Sequence, residues 1–176
     1  MLLILVSNVL NYIVEVTMLG LMSKQNLLIS SLIEHSSQYH PDTEIVHRDA
    51  NEKIARTTYK KTDLRIRKLA KSLLDMGVKL GDKIGTIAWS NLRHLELYYA
   101  ISGIGAICHT INPRLFKEQL IYIINDAEDD ILFVDLDFIN IVSEISEKIK
   151  TVNKIVFLCS KDKLPINSKI KQEVLD

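Results

Sequence analysis

The chain has 176 residues, 47% hydrophobic and 25% charged, which is the make-up of an ordinary globular domain with a real core and not of a disordered segment. Its 22 Lys and Arg balance 22 Asp and Glu, and no aromatic-plus-basic stripe stands out, which excludes a global basic field for nucleic acid. The two cysteines, Cys108 and Cys159, each sit in an apolar run and read as buried thiols, in keeping with a reducing cytoplasm.

Met1–Thr17 is apolar, with Glu15 its only charge. Ser7, Asn8, Asn11 and Glu15 recur at helical spacing, so a helix here carries a polar stripe. A secretory signal needs basic residues at its start and a small-residue cleavage site, and both are missing. Through Met22 the segment approaches the length of a membrane span, but the stripe speaks against one. Residues 1–17 read as an upstream extension, and Met18–Met22 as the natural start. The alternative is peripheral membrane attachment through Met1–Met22.

Gln25–Ser37 predicts an amphipathic helix, with Leu28, Ile29, Leu32 and Ile33 at helical spacing before His40-Pro41. Glu44–Arg48 and Lys53–Thr57 predict a hairpin around Asp49–Glu52. Thr58–Met76 is the clearest helix: Thr57 or Thr58 caps it, Ile66, Leu69, Ala70, Leu73 and Met76 share a face, and Gly77 stops it. Its basic residues read as a solvated face.

Val78–Asp82 is a turn, and Lys83–Trp89 a strand. Leu92–Ser102 is a helix whose apolar residues nearly surround it, as expected of one held between layers. Gly105 sits where a helix must end in the left-handed region, a cheap conformation for glycine alone. Ala106–Ile111 is a short buried strand stopped by Asn112-Pro113, because proline brings no amide hydrogen to the ladder. Lys117–Asp126, Asp130–Asp135, Phe138–Ile149 and Lys154–Cys159 continue as helix, strand, helix, strand. The alternation from Lys83 onward is that of a parallel sheet wrapped by helices, with right-handed crossovers. Ser160–Asp176 is a polar, lysine-rich tail that reads as loop or weak helix.

Met18–Met22, Thr57-Thr58-Tyr59, Gly81-Asp82-Lys83, Ala88-Trp89-Ser90-Asn91, Arg93–Tyr99, Gly103–Phe116 and Tyr122–Asp130 form a series of ordered blocks. Together they resemble the N-terminal part of the AMP-forming acyl-CoA synthetases of the adenylate-forming superfamily, in particular the bacterial medium- and long-chain fatty-acid–CoA ligases. The resemblance covers about residues 18–159. It implies the incomplete large N-terminal domain of that fold, an α/β unit with a partial doubly wound parallel sheet preceded by a helix and hairpin. It also implies the parent chemistry: ATP and Mg2+ convert a fatty acid to an acyl-adenylate, and coenzyme A then displaces AMP. The family's phosphate loop, rich in Ser, Thr and Gly, lies further along its chain, and no glycine follows Gly105 here. The hinge and the lysine of the small C-terminal domain are absent as well. No catalytic, cofactor-binding or metal residue therefore transfers to this sequence. None of ATP, Mg2+ and coenzyme A is expected to bind it tightly.

Asn112 and Arg114 are the two candidate site residues. They follow a strand end, where open α/β sheets place ligands, and so are candidates for a substrate-side wall. The plainer reading, preferred on the residues alone, is that Asn112-Pro113 ends the strand and Arg114 pairs with a nearby acid. His94, Cys108 and His109 lack the spacing of a metal site, since neighbours on a strand face opposite ways. Asp126, Glu128, Asp129 and Asp130 read as solvated carboxylates between a helix and a strand. Trp89, Tyr98 and Tyr99 read as core fillers ahead of cleft residues. The sequence is thus expected to be an N-terminal fragment of a fatty-acid–CoA ligase, inactive alone and cytoplasmic. The alternatives are a non-catalytic partner module, one half of a split ligase whose C-terminal part is a separate chain, or a membrane adaptor using Met1–Met22.

Overall fold

The computed structural model describes residues 24–48, 53–159 and the backbone of 172–174. The apolar extension, the hairpin tip and most of the tail lie outside them, and with them the reading of Met1–Met22 as a membrane anchor. Among the described residues no helix is long and apolar enough to cross a membrane.

Helix α1 (Ile29–Tyr39) comes first. Only Ile33 of its apolar residues is buried, and Leu28, Ile29 and Leu32 remain exposed. Strands β1 (Glu44–Arg48) and β2 (Ile54–Thr58) pair antiparallel, with Glu44 opposite Thr58. The strand period ends at Thr58, whose hydroxyl accepts the Lys61 N–H and opens helix α2 (Tyr59–Asp75).

Strand β3 (Lys83–Ile87), helix α3 (Leu92–Gly103), strand β4 (Ile107–Thr110), helix α4 (Lys117–Ala127) and strand β5 (Ile131–Val134) follow. A 3-10 turn (Leu136–Phe138), helix α5 (Ile139–Ile145), strand β6 (Lys154–Phe157) and strand β7 (Gln172–Val174) complete the order. Three expectations fail locally. Strand β4, expected to be buried, has Ile107 and Thr110 exposed. Helix α5 is shorter than Phe138–Ile149, because the backbone tightens into turns after Ile145, where Lys148 N–H bonds back to the Ile145 carbonyl. Strand β7 lies in the tail that reads as loop or weak helix, and it adds parallel to β6.

The sheet is all parallel, in the order β4-β3-β5-β6-β7. Alternation along the strands sorts the side chains into two cores. Ile84, Ile131, Phe133 and Val156 meet α2 and α3 through Ile66, Leu73, Leu97 and Ile101. Ile87, Leu132, Val134, Ile155 and Phe157 meet α4 and α5 through Leu120, Ile124, Val142 and Ile145. Burial of both faces explains why these strands read as continuous apolar runs.

Two glycines are forced. Gly105 has φ +79°, and a Leu80 methyl fills the space its Cβ would need. At Gly85 an added Cβ would lie 2.8 Å from Leu132 Cδ1 and 2.9 Å from Asp129 Oδ2. That space is taken because Glu128, at φ 57°, turns the chain at the end of α4 and sends Asp129 inward. Asp129 is fully buried, which corrects the expectation of a solvated acidic run. Its carboxylate accepts from His109 Nδ1 at 2.8 Å.

Candidate functional site

From β3 the chain moves through α3 to β4 on one side. From β5 it moves through α5 to β6 on the other. The carboxyl ends of β3 and β5 therefore flank the point where the winding direction reverses, the place where doubly wound sheets open a ligand crevice. The β3 end delivers Trp89, the β5 end Asp135 and Asp137, and the β4 end Asn112 and Arg114.

Asp135, 7% exposed, is the anchor. Its Oδ2 accepts the Trp89 backbone N–H at 2.8 Å and the Asn91 side-chain amide at 3.0 Å. Asn91 Oδ1 in turn accepts the His94 N–H at 3.0 Å and caps α3. His94 Nε2 lies 3.0 Å from the buried Thr86 hydroxyl. A polar chain thus runs from β5 through the β3–α3 loop and back into β3. Burial pushes the Asp135 carboxyl above its ordinary value, though its two donors pull it back in part. Burial also lowers His94, against the Trp89 backbone and Asp135, and so favours the neutral imidazole.

Above this brace Trp89 is 40% exposed, which corrects its reading as a core filler. Its indole N–H donates to Asp137 at 2.8 Å, and its ring leans on Phe138 at 4.9 Å between centroids. The Arg114 guanidinium sits 5.7 Å from the Trp89 ring centroid. The expected acid partner for Arg114 is not what the structure shows: the cation rests on an aromatic face beyond the carboxyl ends of β3 and β4. Asn112 Oδ1 accepts the Arg114 N–H at 3.0 Å, an Asx turn that closes the strand end. Asn112 therefore sets the turn, and Arg114 presents the charge.

An aromatic face, a cation and an amide at the ends of two neighbouring strands suit binding. The brace was legible only in outline: a strand ending on a carboxylate and a Trp-Ser-Asn after a strand are visible in the sequence, while their convergence is not. Cys108 packs toward the α2–α3 core, and burial raises its thiol to about 11, the unreactive range. Among the described residues no glycine stands at the carboxyl ends of β3, β4 and β5.

The AMP-binding enzyme family matches residues 33–174. The 3-methylmercaptopropionyl-CoA ligase of Ruegeria lacuscaerulensis is 48% identical over 141 residues, which is 80% of this chain and 26% of that protein. The medium-chain-fatty-acid–CoA ligase of Ectopseudomonas oleovorans is 46% identical over 141 residues, with the same shares. The chain thus spans about a quarter of the length of these curated relatives, and the match falls in their N-terminal portion. Among solved structures, the fatty acyl CoA synthetase of Mycobacterium tuberculosis matches with a TM-score of 0.68 at 17% identity, covering 74% of this chain and 26% of that one. At that identity the likeness shows the fold.

Proposed function

The chain belongs to the AMP-binding enzyme family, and on that premise we propose that it is the N-terminal part of a ligase that activates a fatty acid as its coenzyme A thioester. The observation that carries this reading is the alignment of most of the chain, at 46% identity, with the first quarter of a medium-chain-fatty-acid–CoA ligase. In the parent enzyme ATP and Mg2+ supply the adenylation and coenzyme A the thiol. Asn112 and Arg114, with Trp89, form one wall of the substrate side. Asp135 and Asn91 hold that wall in place. This chain alone lacks the phosphate loop and the catalytic lysine, and it is inactive until the remainder is supplied, either in the same polypeptide or as a separate chain. A reducing cytoplasm suits the free thiols of the half-buried Cys108 and the buried Cys159.

ATP–pyrophosphate exchange tests this, with fatty acids of graded length. The 176-residue chain is expected to be silent alone and active when mixed with the remaining three quarters of a medium-chain ligase. Exchange by the chain alone overturns the argument from the missing phosphate loop. Silence from a folded, associated pair overturns the ligase reading.

A further inference from the structure

On the other face of the sheet, α2 and α3 enclose a second concavity of about 120 Å³. Arg65, Lys68 and Ser72 line it from α2, and Arg93 and Glu96 from α3. Leu69, Leu97 and Leu158 supply apolar walls, while Arg65 and Lys68 stay exposed to solvent. Its volume is well below the about 300–1,000 Å³ of a pocket for a drug-sized ligand. It suits a small ion, or the terminal group of a longer molecule.

The charges in it are not balanced. Glu96 is 3% exposed, and its carboxylate is fully engaged by Arg65 through bonds of 2.6 and 3.0 Å. The other cations on this stretch of α2 have acids of their own: Arg67 meets Asp63 at 3.0 Å, and Lys71 meets Asp75 at 2.9 Å. Lys68 has no such partner among the described residues. The Arg93 guanidinium donates to the Leu158 carbonyl, and among the described residues no carboxylate pairs with it. Ser72 donates its own proton to the Lys68 carbonyl, so it adds no donor for a ligand. Among the described residues the concavity therefore carries two positive charges without a carboxylate partner: one planar fork and one ammonium. We propose that it binds the phosphate dianion of free inorganic phosphate or of a small phosphate ester. The two charges match the dianion, the Arg93 fork engages two phosphate oxygens, and the Lys68 ammonium takes the third. A carboxylate supplies half the charge and one oxygen fewer. This site is lined by other side chains than the β3/β5 ends and does not depend on the ligase reading.

Line broadening of 31P signals from inorganic phosphate and from glycerol phosphate, titrated with the 176-residue chain at constant ionic strength, tests the proposal. Saturable binding is expected, with acetate a weak competitor. A tighter fit for glycerol phosphate identifies an ester as the natural source, and equal affinities identify the free ion. Arg93→Gln together with Lys68→Gln should weaken binding at least tenfold. Lys60→Gln removes one positive charge from the same helix outside the concavity, and it should leave affinity within twofold. Arg93→Lys keeps the charge and the packed stem but loses the fork, and it should weaken binding severalfold while the circular dichroism stays that of the parent. Absence of saturable binding overturns the site. So does retention of affinity in the double variant, or an equal loss in Lys60→Gln, which marks a diffuse field.

Discussion

Asp129 and Asp135 stand at the two ends of β5, and burial raises the pKa of both, yet their surroundings differ. Asp129, at the amino end, lies in the notch left by Gly85, with one imidazole for partner. Its side chain is fully buried. Asp135, at the carboxyl end, is bonded by a backbone N–H and a side-chain amide, neither of which titrates near neutral pH. It carries above it an exposed Trp89 and the Arg114 cation. One carboxylate fastens the edge strand β4 to the sheet, and the other fastens a loop that faces the crevice. The strand polarity of a doubly wound sheet decides which end does which.

The sharpest way to break this comparison is Asp135→Ala. It strands two donors, the Trp89 N–H and the Asn91 amide, and should cost about 2–3 kcal/mol in urea denaturation. Trp89 is the only tryptophan, so its emission reports the loop directly and should shift to the red. Asp135→Asn keeps an acceptor oxygen and should cost roughly half as much. An unchanged Trp89 spectrum in Asp135→Ala would show that the carboxylate does not hold the loop.

Gly85→Ala probes the other end. Its new methyl meets Leu132 and the Asp129 carboxylate at under 3 Å, and about 1–3 kcal/mol of destabilisation is expected, with the Trp89 emission unmoved. A smaller effect follows from the Asp129 proton. Burial lifts this carboxyl above its ordinary 3.8 in spite of His109, so the folded state holds the proton more tightly than the unfolded state does. Its contribution is fully present below the unfolded pKa and is lost as pH rises through the folded one. Asp129→Asn removes that loss while keeping an oxygen for His109. The stability of Asp129→Asn relative to the parent should therefore grow between pH 3.5 and pH 7. A gap that shrinks over the same interval would mean that the charged pair with His109 outweighs burial. The smallest expected change is in α2, where the Thr62 hydroxyl oxygen is buried without a hydrogen bond. Thr62→Val should raise stability by about 0.5–1 kcal/mol.

Much of the fold is legible in the sequence because both sheet faces are buried. Ile131-Leu132-Phe133-Val134 and Ile155-Val156-Phe157 announce their strands, and Gly105 and Asn112-Pro113 mark the corners. Short polar strands give no such signal. Gln172–Val174 becomes a strand only because β6 offers it an edge, a tertiary cause invisible in three residues. The site was legible in part for a similar reason. Asn112 and Arg114 follow a strand end, and their position is local. The partner of Arg114 is Trp89, brought in from another strand, so the expected ion pair is replaced by an aromatic contact. Asp129 was misread because a left-handed Glu128, not a glycine, makes the turn that buries it.

The most direct measurement uses a chimeric medium-chain fatty-acid–CoA ligase whose matching segment is replaced by residues 33–174 of this chain. Arg114→Ala and His109→Ala are compared in thioester-forming kcat/KM and in Tm. Arg114→Ala should lower kcat/KM about tenfold, the loss of one charged or cation–π contact worth about 1.4 kcal/mol, with Tm unchanged. His109→Ala should lower Tm and leave kcat/KM near that of the parent chimera. Full activity in Arg114→Ala, or a kcat/KM loss confined to His109→Ala, would contradict the assignment of the crevice end of β5 to function and the other end to structure.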